Sequence, residues 1–213
     1  MSQVKLIWAT PGGDWNIAYM ARVSNPDNQA NPEYTKLIGY LMKHKHWSPF
    51  EMVNACMEIE TTRDIARQIL RHRSFSFQEF SQRYAVANGY EFSEARLQDS
   101  KNRQNSLPVE DREMQKFWDE LQRETLITAK RCYEAALQAG IAKEIARKVL
   151  PEGITTSKMY MNGTLRSWLH FVSVRTDPST QKEHRIVAEQ CKEILKEQFP
   201  KVMEAFEANN GIL

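Results

Sequence analysis

The chain has 213 residues, 41% hydrophobic and 26% charged, with a net charge of only +2. That balance suits one globular domain, residues 1–213, excludes a disordered chain, and leaves any anion binding to local clusters of charge. No stretch approaches the ~20 apolar residues of a membrane span. The N-terminal run lacks a secretory pattern. The three cysteines, Cys56, Cys132 and Cys191, form no CxxC pair, which fits a reducing cytoplasm and no structural zinc.

Val4 to Ala9 is rich in β-formers and predicts a strand, closed by the Pro11-Gly12-Gly13 turn. Asp14 is placed to cap a helix running to Val23. Pro32 suits the first turn of a second helix, through Leu37, Ile38 and Leu41, which Ser48-Pro49 breaks. Phe50 to Ile59 has β character. Thr61 or Thr62 is placed to cap a helix from Arg63 to about Arg71, with Ile65, Ala66, Ile69 and Leu70 buried. Ser74 to Pro108 is irregular, ending in an exposed polar loop around Asp99 to Ser106. A long amphipathic helix is expected from about Glu110 to Ala139, with Phe117, Leu121, Leu126, Ala129, Tyr133 and Leu137 among its apolar positions, ended by Gly140. A short helix from Ala142 to Val149 stops at Pro151, and Ile154 to Met161 reads as a strand. Leu165, Trp168, Leu169 and Val172 fall at helical spacing. Thr180 and Glu183 form a capping box for a helix through Leu195. The fold class is α+β: a small, mainly antiparallel sheet packed with several helices.

The sharpest chemical feature is the run from Arg71-His72-Arg73 to Arg83-Tyr84. Five arginines between positions 63 and 83 meet only two acids, Asp64 and Glu79. Guanidinium grips phosphate in a bidentate fork, so the cluster suits a phosphorylated ligand. A solvated arginine face is the plainer alternative. Arg63, Arg67 and Arg71 stand at one-turn spacing, roughly along one helical face. Ser81 adds a hydroxyl, and Phe75, Phe77 and Phe80 offer stacking surfaces for a planar ring. His44 and His46 have the spacing of a metal pair but lack a third ligand, so no metal is expected. By position alone, His170 is an ordinary polar contact and Arg147 a cap for the short helix.

Arg71-His72-Arg73, seven residues, then Ser81 resembles the signature of the flavin-dependent thymidylate synthases. Ser76, Glu79 and Arg83-Tyr84 extend the likeness. Three further segments are similar to that family in the same order: His46-Trp47-Ser48-Pro49-Phe50-Glu51, Ala146-Arg147-Lys148-Val149-Leu150-Pro151, and Leu165 to Phe171 followed by Arg175-Thr176-Asp177. Phe80 departs from the family pattern, where a polar residue is usual. Ser179 stands near where some members carry histidine.

The resemblance implies reductive methylation of dUMP to dTMP, with FAD as cofactor and NADPH and methylenetetrahydrofolate as co-substrates, in a cytoplasmic homotetramer. It implies that dUMP is held by Gln68, Arg71, Glu79, Ser81 and Arg83, with Arg147 from another subunit, and that Arg175 contacts the uracil ring as the catalytic cation. For FAD it implies His46, Ser48, Arg71, His72, Arg73, Glu79, Thr164, Leu165, Arg166 and His170. None of the cysteines sits in the Pro-Cys-His setting of the other thymidylate synthases, so the hard step falls to the cofactor. No GxGxxG fingerprint is present, which argues against a Rossmann-type FAD site. Two rival readings are a single-stranded nucleic-acid-binding module built on arginines and aromatics, and a helical interaction protein working through its long helix. The enzyme reading expects neither nucleic acid nor membrane as a partner.

Overall fold

The computed structural model describes residues 2–211. Its strands are β1 (Gln3–Ala9), β2 (Asn54–Thr62), β3 (Phe75–Glu79), β4 (Arg96–Gln98), β5 (Ser106–Pro108) and β6 (Thr156–Thr164). Its helices are α1 (Gly13–Ala21), α2 (Thr35–Lys43), α3 (Arg63–Ile69), α4 (Arg112–Gln138), α5 (Lys143–Ala146), α6 (Leu165–Arg175), α7 (Lys182–Gln198) and α8 (Pro200–Ala208). The expected α+β class holds. Four strands form one sheet in the order β1-β2-β6-β3, every pair antiparallel, and β4 and β5 form a separate ribbon.

Alternation decides which face of the sheet is covered. On β6, Ser157, Met159, Met161 and Gly163 point inward while Lys158 and Tyr160 point out. The inward face packs against α6, whose Leu165, Trp168, Leu169 and Val172 are all buried, as their spacing predicts. Trp168 satisfies its indole by donating Nε1–H to the Ala55 carbonyl at 3.0 Å. α7 and α8 complete the main core through Val187, Cys191, Leu195, Phe199 and Phe206.

Several expectations need correction. Asp14 does not cap its own helix, whose N-cap is Gly12 at φ 61°. Its carboxylate instead accepts the N–H groups of Lys201 and Val202 at 2.9 and 3.2 Å, capping α8 across the core. Pro32 lies before α2, and β2 starts later than expected, because Ser48–Met52 forms a 3₁₀ turn. The capping box fails: Thr180 Oγ1 donates to the Val174 carbonyl and Glu183 turns to Arg96. The irregular stretch contains β3, paired along β6 from Phe75↔Gly163 to Glu79↔Met159. Glycine is required at position 163, because a Cβ there would stand 2.4 Å from Phe75 Cδ1. Phe75 is therefore a core residue, against Trp168 at 4.8 Å, and not a free stacking surface. The long helix forms as expected, with Asp111 as its cap. Of its residues only Gln122, Ala129 and Tyr133 are buried. Of the expected apolar positions, Ala129 and Tyr133 are buried and Leu126 and Leu137 half-buried, while Phe117 and Leu121 are exposed, as is Ile127 on the same helix.

Candidate active site

α3 ends at Ile69, so Arg71 lies past the helix and does not share a face with Arg63 and Arg67. That early stop divides the arginines into two groups.

The first group gathers at the junction of α3, α6 and α7. Arg175, the last residue of α6, donates Nε–H to His72 Nε2 at 2.9 Å. Nε2 is thereby an acceptor, and a neutral His72 carries its proton on Nδ1. Burial lowers the His72 pKa to about 4, helped by the fields of Arg175, His170 and Arg71. Burial, then Arg71, also lowers the Arg175 pKa. The His72 ring stands edge-on to Phe171 at 5.0 Å and to His184 at 6.3 Å. His184 is fully buried, with its pKa lowered to about 3 by burial, then by Arg175 and His72. Gln68 bridges outward from there, with Oε1 at 3.3 Å from His184 Nδ1 and Nε2 donating to Gln181 Oε1 at 2.8 Å.

The N-terminus of α6 holds the continuation of this ledge. Thr164 caps the helix by accepting the Ser167 N–H at 3.2 Å, and Ser167 Oγ donates to the Ser74 carbonyl at 3.4 Å. The capped helix is thus tied to the segment carrying Arg71, His72 and Arg73. Arg166 and His170 are exposed one turn apart on α6, and Arg166 pairs with Glu51 at 3.4 Å. Glu51 belongs to the same 3₁₀ turn as Ser48, and His46 precedes it, its ring 5.9 Å from Tyr40. Leu165 is different: its side chain is in the core and its N–H goes to the Val53 carbonyl.

The second group centres on Glu79 and Glu144. Glu79 accepts from Ser157 Oγ at 2.7 Å and from Arg67 at 3.2 Å, with Arg63 at 3.8 Å. Arg83 pairs with Glu144 at 3.2 Å, and Ser81 Oγ accepts the Arg83 N–H. Arg147 donates to the Glu144 carbonyl, the helix-end role expected by position. Arg63, Arg67, Arg147 and Lys148 line an open basic depression of about 460 Å³. Among the described residues, Glu79, Ser81, Arg83 and Arg147 thus share no hydrogen bond or ion pair with the His72–Arg175 pair.

The sequence matches the Thy1 family, described as thymidylate synthase complementing protein, over residues 5–201. It is 53% identical over 191 residues to the flavin-dependent thymidylate synthase of Synechocystis sp., covering 90% of this chain and 88% of that one. The chain belongs to the flavin-dependent thymidylate synthases. A second member, the probable flavin-dependent thymidylate synthase of Paramecium bursaria Chlorella virus 1, is 47% identical over 90% of this chain and 89% of its own. Among solved structures, the UMP/dUMP methylase PolB from Streptomyces cacaoi, bound with 5-Br dUMP, superposes with a TM-score of 0.89. It is 29% identical, and the match covers 100% of this chain and 97% of that one.

Membership in the flavin-dependent thymidylate synthases asks whether this ledge suits FAD. Arg71 and Arg73 are exposed and, among the described residues, neither pairs with a carboxylate. A diphosphate needs such uncommitted cations, so the donor set fits. Sequence reasoning missed Ser157, Ser167, Gln181 and His184. His184 carried no signal, because it falls on the buried face of α7 with Val187, Ala188 and Cys191.

Proposed function

We propose that this flavin-dependent thymidylate synthase converts dUMP to dTMP through two separated groups of residues, brought together by assembly. The reading rests on the convergence of Arg71, His72 and Arg175 without a carboxylate partner among the described residues. Arg71, His72, Arg73, Arg166 and His170 hold FAD, with His46, Ser48 and Glu79 at its edges. Thr164 and Leu165 serve by fixing the start of α6. When bound, the flavin supplies the reducing equivalents that NADPH delivers, while methylenetetrahydrofolate supplies the carbon.

The remaining chemistry is the chain's own. Gln68, Arg71, Glu79, Ser81, Arg83 and Arg147 hold the nucleotide, and Arg175 faces its uracil. Neutral His72 accepts from Arg175 Nε and so fixes the plane of the guanidinium. A fixed cation in a half-buried site stabilises negative charge as it grows on the pyrimidine, and costs no reorganisation at that moment. No thiol is poised to attack: burial raises the Cys56 and Cys191 pKa values, and Cys132 is exposed on α4.

The whole chain, 1–213, acts as one domain, and four copies assemble. The open face of α4, with Phe117, Trp118, Leu121 and Ile127 exposed, supports burial against another copy. Free thiols without a disulfide among the described residues suit a cytoplasmic setting. No helix among those residues is long and apolar enough to cross a membrane. The test is tritium release from position 5 of labelled dUMP with FAD, NADPH and methylenetetrahydrofolate, alongside light scattering. A folded protein that takes up no FAD and releases no tritium refutes the enzyme. An active monomer refutes the assembly.

A further inference from the structure

A hydrogen-bond chain leads from a half-buried ion pair to the residue assigned to the nucleotide, and its polarity can be read from one end. Arg96 Nη2 donates to both oxygens of Glu183, at 2.6 and 2.8 Å. Burial alone raises the Glu183 pKa, but the bonds from Arg96 and its neighbours outweigh it and bring the carboxyl below its usual value. Glu183 is therefore an anion, which can only accept. Its Oε2 faces Gln181 Nε2 at 3.2 Å, so that atom of Gln181 is the amide nitrogen and the other is the oxygen. Gln181 Oε1 in turn accepts from Gln68 Nε2 at 2.8 Å. Gln68 then presents its own oxygen to His184 Nδ1, 3.3 Å away, which fixes the proton of His184 on Nδ1. The far nitrogen of that ring agrees: among the described residues His184 Nε2 is buried without a hydrogen-bond partner, as a bare lone pair beside Phe171 can be.

We propose that Gln181 is a positioning residue for the nucleotide: anchored by Glu183, it orients the amide of Gln68 and, through it, the tautomer of His184 beside His72. Gln181 itself touches no reacting atom. The proposal rests on the assignment of Gln68 to dUMP made above. A glutamine amide turned by half a rotation exchanges donor for acceptor, so an unanchored Gln68 meets the nucleotide with the wrong group part of the time.

The variant is Gln181→Met, which keeps length and removes both hydrogen bonds. Gln181 is exposed, so the fold and the Arg96–Glu183 pair should survive, and the thermal midpoint checks this. Two readouts are taken on the full-length, FAD-loaded protein. Two-bond proton–nitrogen spectra of histidine-labelled protein, recorded without nucleotide, should show His184 as the Nδ1–H tautomer in wild type and as a mixture in the variant. Calorimetric titration with dUMP should show affinity weakened about fivefold, as for loss of one positioned hydrogen bond, with kcat within about twofold. A wild-type His184 protonated on Nε2 overturns the relay. Unchanged dUMP affinity in Gln181→Met overturns the positioning role while leaving the enzyme reading intact. A wild-type protein that shows the expected tautomer but binds no dUMP overturns the function, and this proposal with it.

Discussion

Gly163→Ala perturbs the point where the sheet supports the Arg71–Arg73 segment. The added Cβ would stand 2.4 Å from Phe75 Cδ1 and 2.7 Å from Cε1. Carbon atoms in contact sit roughly 3.5–4.0 Å apart, so the ring must retreat by about 1 Å. It has little room, being buried between Trp168 at 4.8 Å and Phe171 at 6.2 Å. Overpacking of this kind costs about 1–3 kcal/mol. At about 2–4 °C per kcal/mol for a chain of this size, the thermal midpoint should fall by roughly 2–12 °C. Phe75 directly follows Ser74, whose carbonyl accepts from Ser167, so FAD affinity should fall as well. Gly39→Ala is the control. It lies in α2, where a Cβ meets nothing within 4 Å, and it should stabilise by up to about 1 kcal/mol. Calorimetric scans at one protein concentration, without ligands, measure both. A Gly163→Ala midpoint at or above wild type would refute the close-approach argument, because alanine gains slightly in strand propensity when nothing opposes it.

Asp14→Ala should cost about 1–2 kcal/mol in urea unfolding, since it removes the cap of α8 across the core; an unchanged midpoint would show that α8 is held by its apolar face alone. Below pH 6.5 the unfolded chain protonates His72 and His184 while the folded chain resists down to about 4 and 3. The unfolded state then binds more protons, so stability is lost as pH falls through that window, by up to ~1.4 kcal/mol per unit for each histidine. His184→Phe should remove about half of that slope, and an identical slope in urea unfolding would count against the buried neutral pair. Arg175→Ala should lower tritium release on the order of a hundredfold with FAD binding little changed, and Arg175→Lys should recover only part, because an ammonium lacks the planar fork. Cys56→Ser, Cys132→Ser and Cys191→Ser should each stay within a few-fold; abolished release in a folded variant would reassign the attacking group.

What the sequence disclosed depended on how local the determining physics was. The stripe on α6 is a matter of spacing within one element, and every residue of it is buried. The cap assigned to Asp14 failed because a carboxylate satisfies whichever helix N-terminus the fold brings nearest, here one 187 positions away. β3 was unreadable because its inward residues, Phe75 and Phe77, look like exposed stacking groups until Gly163 is known to lie opposite. The same holds at the site. The arginine run was plain, but its division into two groups depends on α3 stopping at Ile69, one residue before Leu70 and two before Arg71. The positions of Gln181 and His184 follow from α7 crossing α3, which no spacing along the chain encodes.

That division also decides which arginines are available to a ligand. Arg63 and Arg67 lie against Glu79, Arg83 against Glu144, Arg96 against Glu183 and Arg166 against Glu51. A phosphate meeting any of these must compete with a carboxylate already in place. Among the described residues, Arg71, Arg73, Arg147 and Arg175 have no such partner. Arg175 is hydrogen-bonded to an imidazole, and Arg147 to a backbone carbonyl. Were His72 and His184 charged, they and Arg71 would crowd Arg175 with three further cations; burial first, then the field of Arg175, holds both rings neutral. Neutral His72 orients Arg175 without adding to its charge. An anion arriving there meets the half-buried Arg175, where screening is weak, and the exposed Arg71 beside it. Other arginines, Arg22 among them, also lack an acid, so it is the convergence of Arg71 and Arg175 on His72 that marks the site assigned to FAD, dUMP and the uracil ring. Arg83 and Arg166, assigned to the same ligands, must first release their own acids. Replacing Glu144 or Glu51 with glutamine should thus tighten ligand binding by freeing these arginines, whereas no acid-to-amide change should have that effect at Arg71 or Arg175. Weaker dUMP binding in Glu144→Gln would show that Glu144 orients Arg83 for the nucleotide and does not compete for it.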